Sequence, residues 1–195
     1  CDHCLQSIIS MYTTEAPSPV FCLKCWRSDD WDASEYAQEY DFDRPFFEQW
    51  RELMYKIPHQ SLSQNGENVN CDFSNVVQDV KNVYLSQSVI WGSEDVYYSS
   101  QVERSKVIFD SMAVDSSENC YEVFDSIKNY NCSFCYFSRN NIDCSFLMDC
   151  SNCQNCFGCV NVRNGQYQIF NQQYTKEEYF EKLKSFEKSR ISKDS

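Results

Sequence analysis

Two cysteine pairs near the start of the chain have the spacing of a metal site. Cys1-Asp2-His3-Cys4 and Cys22-Leu23-Lys24-Cys25 are CxxC motifs separated by seventeen residues. Two such turns can bring four thiolates around one tetrahedral ion, as in zinc-ribbon and treble-clef modules. A redox-active CxxC or a disulfide pairing is the alternative. We predict that Cys1, Cys4, Cys22 and Cys25 bind Zn, with His3 as a bystander, in a closed site that stabilises a small fold.

The remaining nine cysteines follow a different pattern, and seven of them fall between Asn129 and Cys159. From Asn70 onward, Asn or Asp followed by Cys or Val recurs about every twelve residues. The pairs are Asn70-Cys71, Asn82-Val83, Asp95-Val96, Asn119-Cys120, Asn131-Cys132, Asp143-Cys144 and Asn155-Cys156, with Lys106-Val107 filling the gap. A second column holds Val123, Cys135, Leu147 and Cys159, and a third holds Phe124, Tyr136, Met148 and Val160. A fixed period of this kind predicts a solenoid.

Cysteine shares these columns with aliphatic residues. The position of Cys120 is held by Val83, Val96 and Val107 in earlier repeats, and the position of Cys135 is held by Leu147 in the next. A metal ligand or disulfide partner could not be exchanged for Val or Leu within one array, whereas a small buried side chain could. We therefore interpret these cysteines as core-facing thiols, which favours a reducing, cytoplasmic location.

Two cysteines do not fit this substitution pattern. Cys150 and Cys153 lie where other repeats have Ser or Asn, and with Cys156 and Cys159 they form C-x2-C-x2-C-x2-C. This run resembles an iron–sulfur ligand set but lacks its final spacing. A second metal site at Cys150 and Cys153, with Cys156 or Cys159, is one hypothesis, and turn residues without a special task are the other.

The fold expected from these patterns is mainly β: a parallel, right-handed β-solenoid with an N-terminal zinc ribbon and capping helices. Because twelve residues are few for a coil with an interior, we expect about twenty-four residues per coil, with a flattened twelve-residue coil as the alternative. The predicted units are 1–32 (zinc ribbon), 33–69 (linker and capping helix), 70–163 (about eight 12-residue repeats) and 164–195 (hairpin return and capping helix).

Several shorter elements should position these parts. Ile8 to Tyr12 is strand-like and should form a hairpin with Val20-Phe21. A helix is expected from Arg44 to Ile57, with Asp43 as N-cap and an apolar stripe that packs on the following domain. Asn164-Gly165 predicts a hairpin turn, and Thr175 with Glu178 predicts a capping box that begins the last helix. Each helix should cover one end of the solenoid. The residues from Ser189 onward should be frayed.

Composition limits the function classes. The chain of 195 residues has 29 Asp and Glu against 17 Lys and Arg, for a net charge of -12, which disfavours a general nucleic-acid-binding surface. No run of eighteen apolar residues occurs, so we expect no transmembrane helix and no membrane partner. The chain begins at Cys1 without an initiator Met, so we expect further sequence ahead of it.

The ordered motifs resemble a known family. "VFCLKCWRSDDWD", "FDRPFFEQWRELM", the Cys- and Asn-rich dodecads and "CFGCVNVRNGQYQIFNQQYTKEEY" are similar to uncharacterised zinc-ribbon proteins that are widespread in candidate-phylum bacteria. The resemblance covers nearly the whole chain, and its relatives carry Cys at more of the repeat columns. It implies further CxxC and Arg-rich sequence ahead of the ribbon, and it implies no function.

Catalytic motifs are sparse. The two histidines, His3 and His59, lie in the zinc pair and at a helix end, and no nucleophile triad or phosphate loop is found. Asp125 and Asp149 could lie on one face and serve acid–base chemistry in a β-helix carbohydrate-active protein.

We favour a non-enzymatic, zinc-stabilised solenoid that binds an unknown macromolecule, preferably protein. A nucleic-acid- or ribosome-associated protein acting through the ribbon is a further alternative.

Overall fold

The computed structural model describes the backbone of residues 1–191 and the side chains of residues 1–186. Fraying was expected from Ser189 onward, but the last helix continues to Ile191, and the remaining four residues lie outside this description. The helices are α1 (Leu23–Trp26), a 3-10 helix (Ala33–Tyr36), α2 (Phe46–Lys56) and α3 (Lys176–Ile191). The strands are β1 (Val20–Phe21), β2 (His59–Gln60), β3 (Gln64–Asn65), β4 (Asn75–Gln78), β5 (Lys81–Tyr84), β6 (Gln87–Ile90), β7 (Glu94–Tyr97), β8 (Ser100–Glu103), β9 (Lys106–Phe109), β10 (Met112–Asp115), β11 (Glu118–Ile127), β12 (Tyr130–Tyr136), β13 (Ile142–Met148), β14 (Gln154–Phe157), β15 (Gln166–Ile169) and β16 (Gln172–Gln173).

Strands β3 to β15 wind into a parallel β-solenoid of about nine turns. The register is constant through the cysteine-rich half: Cys120 aligns with Cys132, and Cys132 aligns with Cys144. Each coil of this half therefore holds twelve residues, not the twenty-four that we expected. Adjacent coils stack at the ordinary strand spacing of about 4.8 Å, so equivalent residues form columns along the solenoid.

A period of three residues explains how so short a coil closes. Nearly every third residue from Val76 to Tyr167 has a positive φ, and the residue that follows it points inward. Each coil thus has four sides of three residues and four inward side chains. Asn and Asp tolerate this left-handed geometry, as the sequence indicated, but Val76 (φ 54°) and Val107 (φ 55°) adopt it too. The sequence did not reveal that the turn recurs four times per coil.

The inward positions correct one assignment in the first column. Val107 is a corner residue and is partly exposed, whereas its neighbour Ile108 is fully buried and aligns with both Val96 and Cys120. The column therefore advances by thirteen residues once, from Val83 to Val96, and by twelve elsewhere. Gly92, at φ 74° and with open space where a Cβ would stand, lies in the longer coil.

Polar inward residues bond to the backbone of neighbouring coils. Ser86 Oγ accepts a hydrogen bond from Ser99 N at 3.1 Å and donates to Tyr84 O at 3.0 Å. The same link repeats down the serine columns, and Asn129 Oδ1 accepts from Asn141 N at 3.0 Å. Because a buried amide without a partner is costly, these links explain why Ser and Asn are tolerated in the core.

The N-terminal unit is built differently from the expected hairpin. No strand forms between Ile8 and Tyr12, and β1 pairs in parallel with β2, from beyond α2. Met11 instead makes a single backbone hydrogen bond, from its N to Ser61 O at 2.9 Å. The insert between the two CxxC pairs is therefore an irregular loop, held by a strand that sequence proximity did not suggest.

Helix α2 begins at Phe46, with Pro45 rather than Asp43 at the N-cap position and no side-chain cap. Its apolar stripe was expected to pack on the solenoid, but the Phe46, Phe47 and Trp50 side chains are exposed. The buried residue of the helix is Gln49. The interpretation of this stripe as a packed face was therefore wrong, although the helix itself was predicted within two residues.

The C-terminal return also differs in detail. Asn164-Gly165 is a regular solenoid corner, and the antiparallel hairpin joins β15 to β16 through Phe170 and Asn171. The predicted capping box is confirmed, since Thr175 N donates to Glu178 Oε2 at 2.9 Å and Glu178 N donates to Thr175 Oγ1 at 3.3 Å. Helix α3 contacts β15, and its buried Tyr179 packs on Tyr167.

No helix within residues 1–191 has both the length and the apolarity that a bilayer crossing requires.

Candidate metal centre and outer groove

The four predicted cysteines come together in the N-terminal unit. The sulfurs of Cys1, Cys4, Cys22 and Cys25 all lie within 4.8 Å of one another, and Cys4 Sγ is 4.0 Å from Cys22 Sγ. A tetrahedral ion with Zn–S bonds of about 2.3 Å sets its sulfurs about 3.8 Å apart, so this donor set fits a four-thiolate site. The described residues contain no other group of three or more such ligands.

Local backbone geometry explains why these sulfurs converge. Cys22 is the N-cap of α1, and its Sγ accepts a hydrogen bond from Cys25 N at 3.4 Å. Cys22 N in turn donates to Cys1 Sγ at 3.2 Å. The hydrogen bond from Cys25 N lowers the pKa of Cys22, because it stabilises the thiolate. Burial raises the pKa of Cys25 to about 12, so a metal ion would have to displace its proton.

Aromatic rings support the cysteine loops. Phe21 contacts the His3 ring at a centroid distance of 5.1 Å and the Trp31 ring at 5.8 Å, and Trp31 also lies 4.8 Å from Trp26. His3 is outside the cysteine group, in agreement with its prediction as a bystander. Asp2 Oδ2 accepts from Val20 N at 2.6 Å and holds the first loop against β1.

The nine solenoid cysteines are core residues. All are free, and each is at most 4% exposed. Their thiols donate to carbonyl oxygens of their own and adjacent coils: Cys132 Sγ, for example, lies 3.4 Å from Tyr130 O and 3.5 Å from Asn141 O. Cys150 and Cys153 are also buried, and they form no ligand group with Cys156 or Cys159 within the described chain. The hypothesis of a second metal site there is not supported.

The predicted pair of carboxylates lies along one edge of the solenoid. Asp125 and Asp149 occupy the same corner two coils apart, which places their backbones about 10 Å from each other. Asp149 Oδ1 forms an ion pair with Arg163 Nη2 at 2.8 Å, and Phe137 stands at the corner between the two carboxylates. Both carboxylates line a cavity of about 440 Å³ together with Arg139 and Arg163, and Asp149 is engaged there by a guanidinium.

An open groove of about 540 Å³ runs along another side of the solenoid. One wall is the corner column that contains Phe73, Leu85 and Tyr98. The other wall is a neighbouring outward column, in which Asn75 aligns with Gln87 one coil later. The buried Ser86, Ser99 and Ser111 form the floor. The sequence did not predict this groove: the third column reaches it at Phe124, but periodicity does not show whether neighbouring outward columns leave space between them.

The outer surface carries further rows of aromatic rings. Phe134 and Phe146 stack at 4.7 Å with an interplanar angle of 4°, and Phe124 stacks on Tyr136 at 5.3 Å and 7°. In-register coils impose such stacks because they set equivalent side chains one strand spacing apart. The solenoid thus presents apolar rings at fixed intervals.

In comparisons with known proteins, no family model and no curated protein matches this chain.

Proposed function

We propose that the protein is a zinc-stabilised β-solenoid module that binds a partner protein through the outer groove. The groove's exposed Phe73, Leu85 and Tyr98 side chains, held one coil apart by in-register strands, are the observation that supports this proposal. Rigid, repeated apolar side chains suit protein recognition, because little conformational entropy is lost when they are covered.

Zinc is the proposed ion at Cys1, Cys4, Cys22 and Cys25. Four thiolates favour a tetrahedral ion that accepts soft ligands, and such a closed set leaves no position for substrate. Its role is therefore structural: it ties the first loop to α1 and orients the N-terminal unit beside the solenoid. We further propose a reducing, cytoplasmic setting, which the stacked free thiols support because an oxidising compartment would threaten them.

The net charge and the pairing of Asp149 favour a protein partner over a nucleic-acid partner and over a carbohydrate-cleaving role. A chain of net charge -12 offers little to phosphate groups, so a nucleic-acid partner would need a local basic site or sequence outside this chain. A carbohydrate-cleaving role would need two free carboxylates in one groove, and Asp149 is already paired with Arg163.

Affinity capture with a matched pair of baits tests the proposal. The groove variant is Leu85→Ser with Tyr98→Ser, and the control is Val69→Ser with Met148→Ser, whose side chains are similarly exposed but lie outside the groove. We expect proteins that are enriched on the wild-type and control baits from native lysate to be lost from the groove variant. Equal recovery on all three baits, recovery that nuclease abolishes, or capture of a glycan alone would contradict a protein-binding groove.

A further inference from the structure

A continuous aromatic surface lies outside the solenoid, on α2 and the loop before it. We call Tyr40, Phe42, Phe46, Phe47 and Trp50 the aromatic patch. The Tyr40 ring contacts both Phe42 and Phe46, and the row continues through Phe47 to Trp50, with centroid distances of at most 6.5 Å. Phe42 is 90% exposed and Phe47 is 73% exposed. At roughly 200 Å² per ring, the patch presents on the order of 500 Å² of apolar surface, which is the size that marks interaction sites.

The patch is organised from beneath by one polar side chain. Gln49 is 4% exposed, and its Nε2 donates to Asp41 O at 2.9 Å and to Arg44 O at 3.0 Å. Its Oε1 accepts from Asp41 N at 2.8 Å, and Gln38 Nε2 donates to Gln49 O at 2.8 Å. The Gln49 side-chain amide therefore faces inward and holds the preceding loop, whereas the aromatic side chains of the helix face outward. A partner would meet a surface that is already ordered.

The electrostatic surroundings of the patch are acidic. Residues 29–57 contain nine Asp and Glu against three Lys and Arg, and the Arg44 guanidinium is engaged by Glu52. Further carboxylates, including Glu39, Asp43 and Glu48, lie close in sequence to the exposed rings. A second copy of this chain would bring the same negative charges together, which costs free energy. A cationic partner would instead gain on both the apolar and the charged contacts.

We propose that the aromatic patch is a docking site for a basic, amphipathic segment of a partner protein, with apolar side chains on the rings and Lys or Arg near the carboxylates. This inference rests on the proposed interaction function and names the chemistry of one partner surface. The patch is separate from the solenoid groove, so the two surfaces can be tested independently.

A defined peptide serves as the probe. A labelled Leu–Lys amphipathic helix of about fourteen residues, and its Leu–Glu counterpart, are titrated with the full chain and followed by fluorescence anisotropy. The patch variant is Phe47→Ser with Trp50→Ser, and Phe42→Ser is a second variant on the loop. The matched control, Phe73→Ser with Tyr98→Ser, removes comparably exposed rings from the solenoid. Sedimentation of each protein reports its oligomeric state.

We expect the Leu–Lys peptide to bind wild type and control equally, to bind the double patch variant at least about tenfold more weakly, and to weaken as salt rises. The Leu–Glu peptide should not bind. Unchanged binding by the patch variants would show only diffuse attraction to an acidic protein and would overturn the inference. So would a wild-type dimer that the patch variant abolishes. If the peptide result holds while the solenoid-groove variant keeps its lysate partners, the groove proposal fails and this one stands.

Discussion

Ile108 and Cys120 occupy the same inward position in successive coils, and their strands pair in register. One is a branched aliphatic residue and the other a thiol, yet both are at most 2% exposed within one column. The column continues through Cys132 and Cys144 without a change in backbone geometry. Thiols and aliphatic groups are thus equivalent here as space-filling side chains, which is the relation that the sequence pattern predicted.

This equivalence predicts which core substitutions are tolerated. Val96→Cys removes little volume and should lower the free energy of unfolding by about 1 kcal/mol. Val96→Phe should cost about 3 kcal/mol or more or prevent folding, because four inward side chains leave no room for a ring. Chemical denaturation followed by circular dichroism measures both. A well-folded Val96→Phe variant would show that the interior is wider than described.

Alkaline pH should destabilise the solenoid through its buried thiols. Burial raises the pKa of Cys120 to about 11, whereas an unfolded thiol ionises near about 8.5. The folded state therefore holds the proton that the unfolded state releases, and the stability present below the unfolded pKa is lost as pH rises towards 11. One such thiol lowers the free energy of unfolding by about 1.4 kcal/mol per pH unit in that window.

The matched measurement compares wild type with Cys120→Val between pH 9 and 11. All other titrating groups are common to the two proteins, so the difference between their slopes isolates one thiol. Cys120→Val should show the shallower loss of stability. Parallel slopes would mean that the Cys120 thiol ionises equally readily in the folded protein.

Two glycines with positive φ should differ in their tolerance of a methyl group. At Gly92 an added Cβ meets nothing within 4 Å, so Gly92→Ala should cost only the left-handed strain of about 1 kcal/mol. At Gly158 the same Cβ would lie 2.6 Å from the Phe170 ring, which packs on Phe157. Gly158→Ala should therefore cost about 1 kcal/mol more than Gly92→Ala, as thermal unfolding of the two variants will show.

Metal removal should affect the N-terminal unit and spare the solenoid. Mass spectrometry of the native protein should find about one zinc ion per chain. Chelation, or Cys22→Ala with Cys25→Ala, should change the fluorescence of Trp26 and Trp31 while the far-ultraviolet β signal persists. Cys71→Val, which removes a solenoid thiol, is the control and should keep the ion. Two ions per chain would contradict the assignment of Cys150 and Cys153 to the core.

The parts that the sequence predicted are those in which one residue type marks one geometric role. The CxxC pairs predicted the convergence of Cys1, Cys4, Cys22 and Cys25, and the inward columns that contain Val123 and Cys135 were assigned correctly. The coil length was wrong because the corner at Asn82 has a positive φ like Val76, Asp79 and Leu85 in the same coil, and Val and Leu have no turn preference that would reveal a corner. The family resemblance stays a prediction.

Contacts between parts of the chain that are distant in sequence could not be predicted either. Nothing local to Val20-Phe21 indicates that it pairs with His59-Gln60, since that contact is set by the path of the intervening chain. The amphipathic pattern of α2 predicted a helix correctly and its orientation wrongly. Periodicity tells which residues share a face, and it cannot tell whether water, another part of the chain or a partner covers that face.

A core with a cross-section of four side chains limits how this fold can be enlarged in evolution. The solenoid cannot become wider, because the core has no space for larger side chains, but it can become longer by whole coils. Duplication of twelve codons anywhere between Cys120 and Cys156 would add one rung whose contacts copy those already present. The distance between the end with the four-cysteine group and the end with helix α3 can therefore change in steps of about 4.8 Å without a new fold having to evolve.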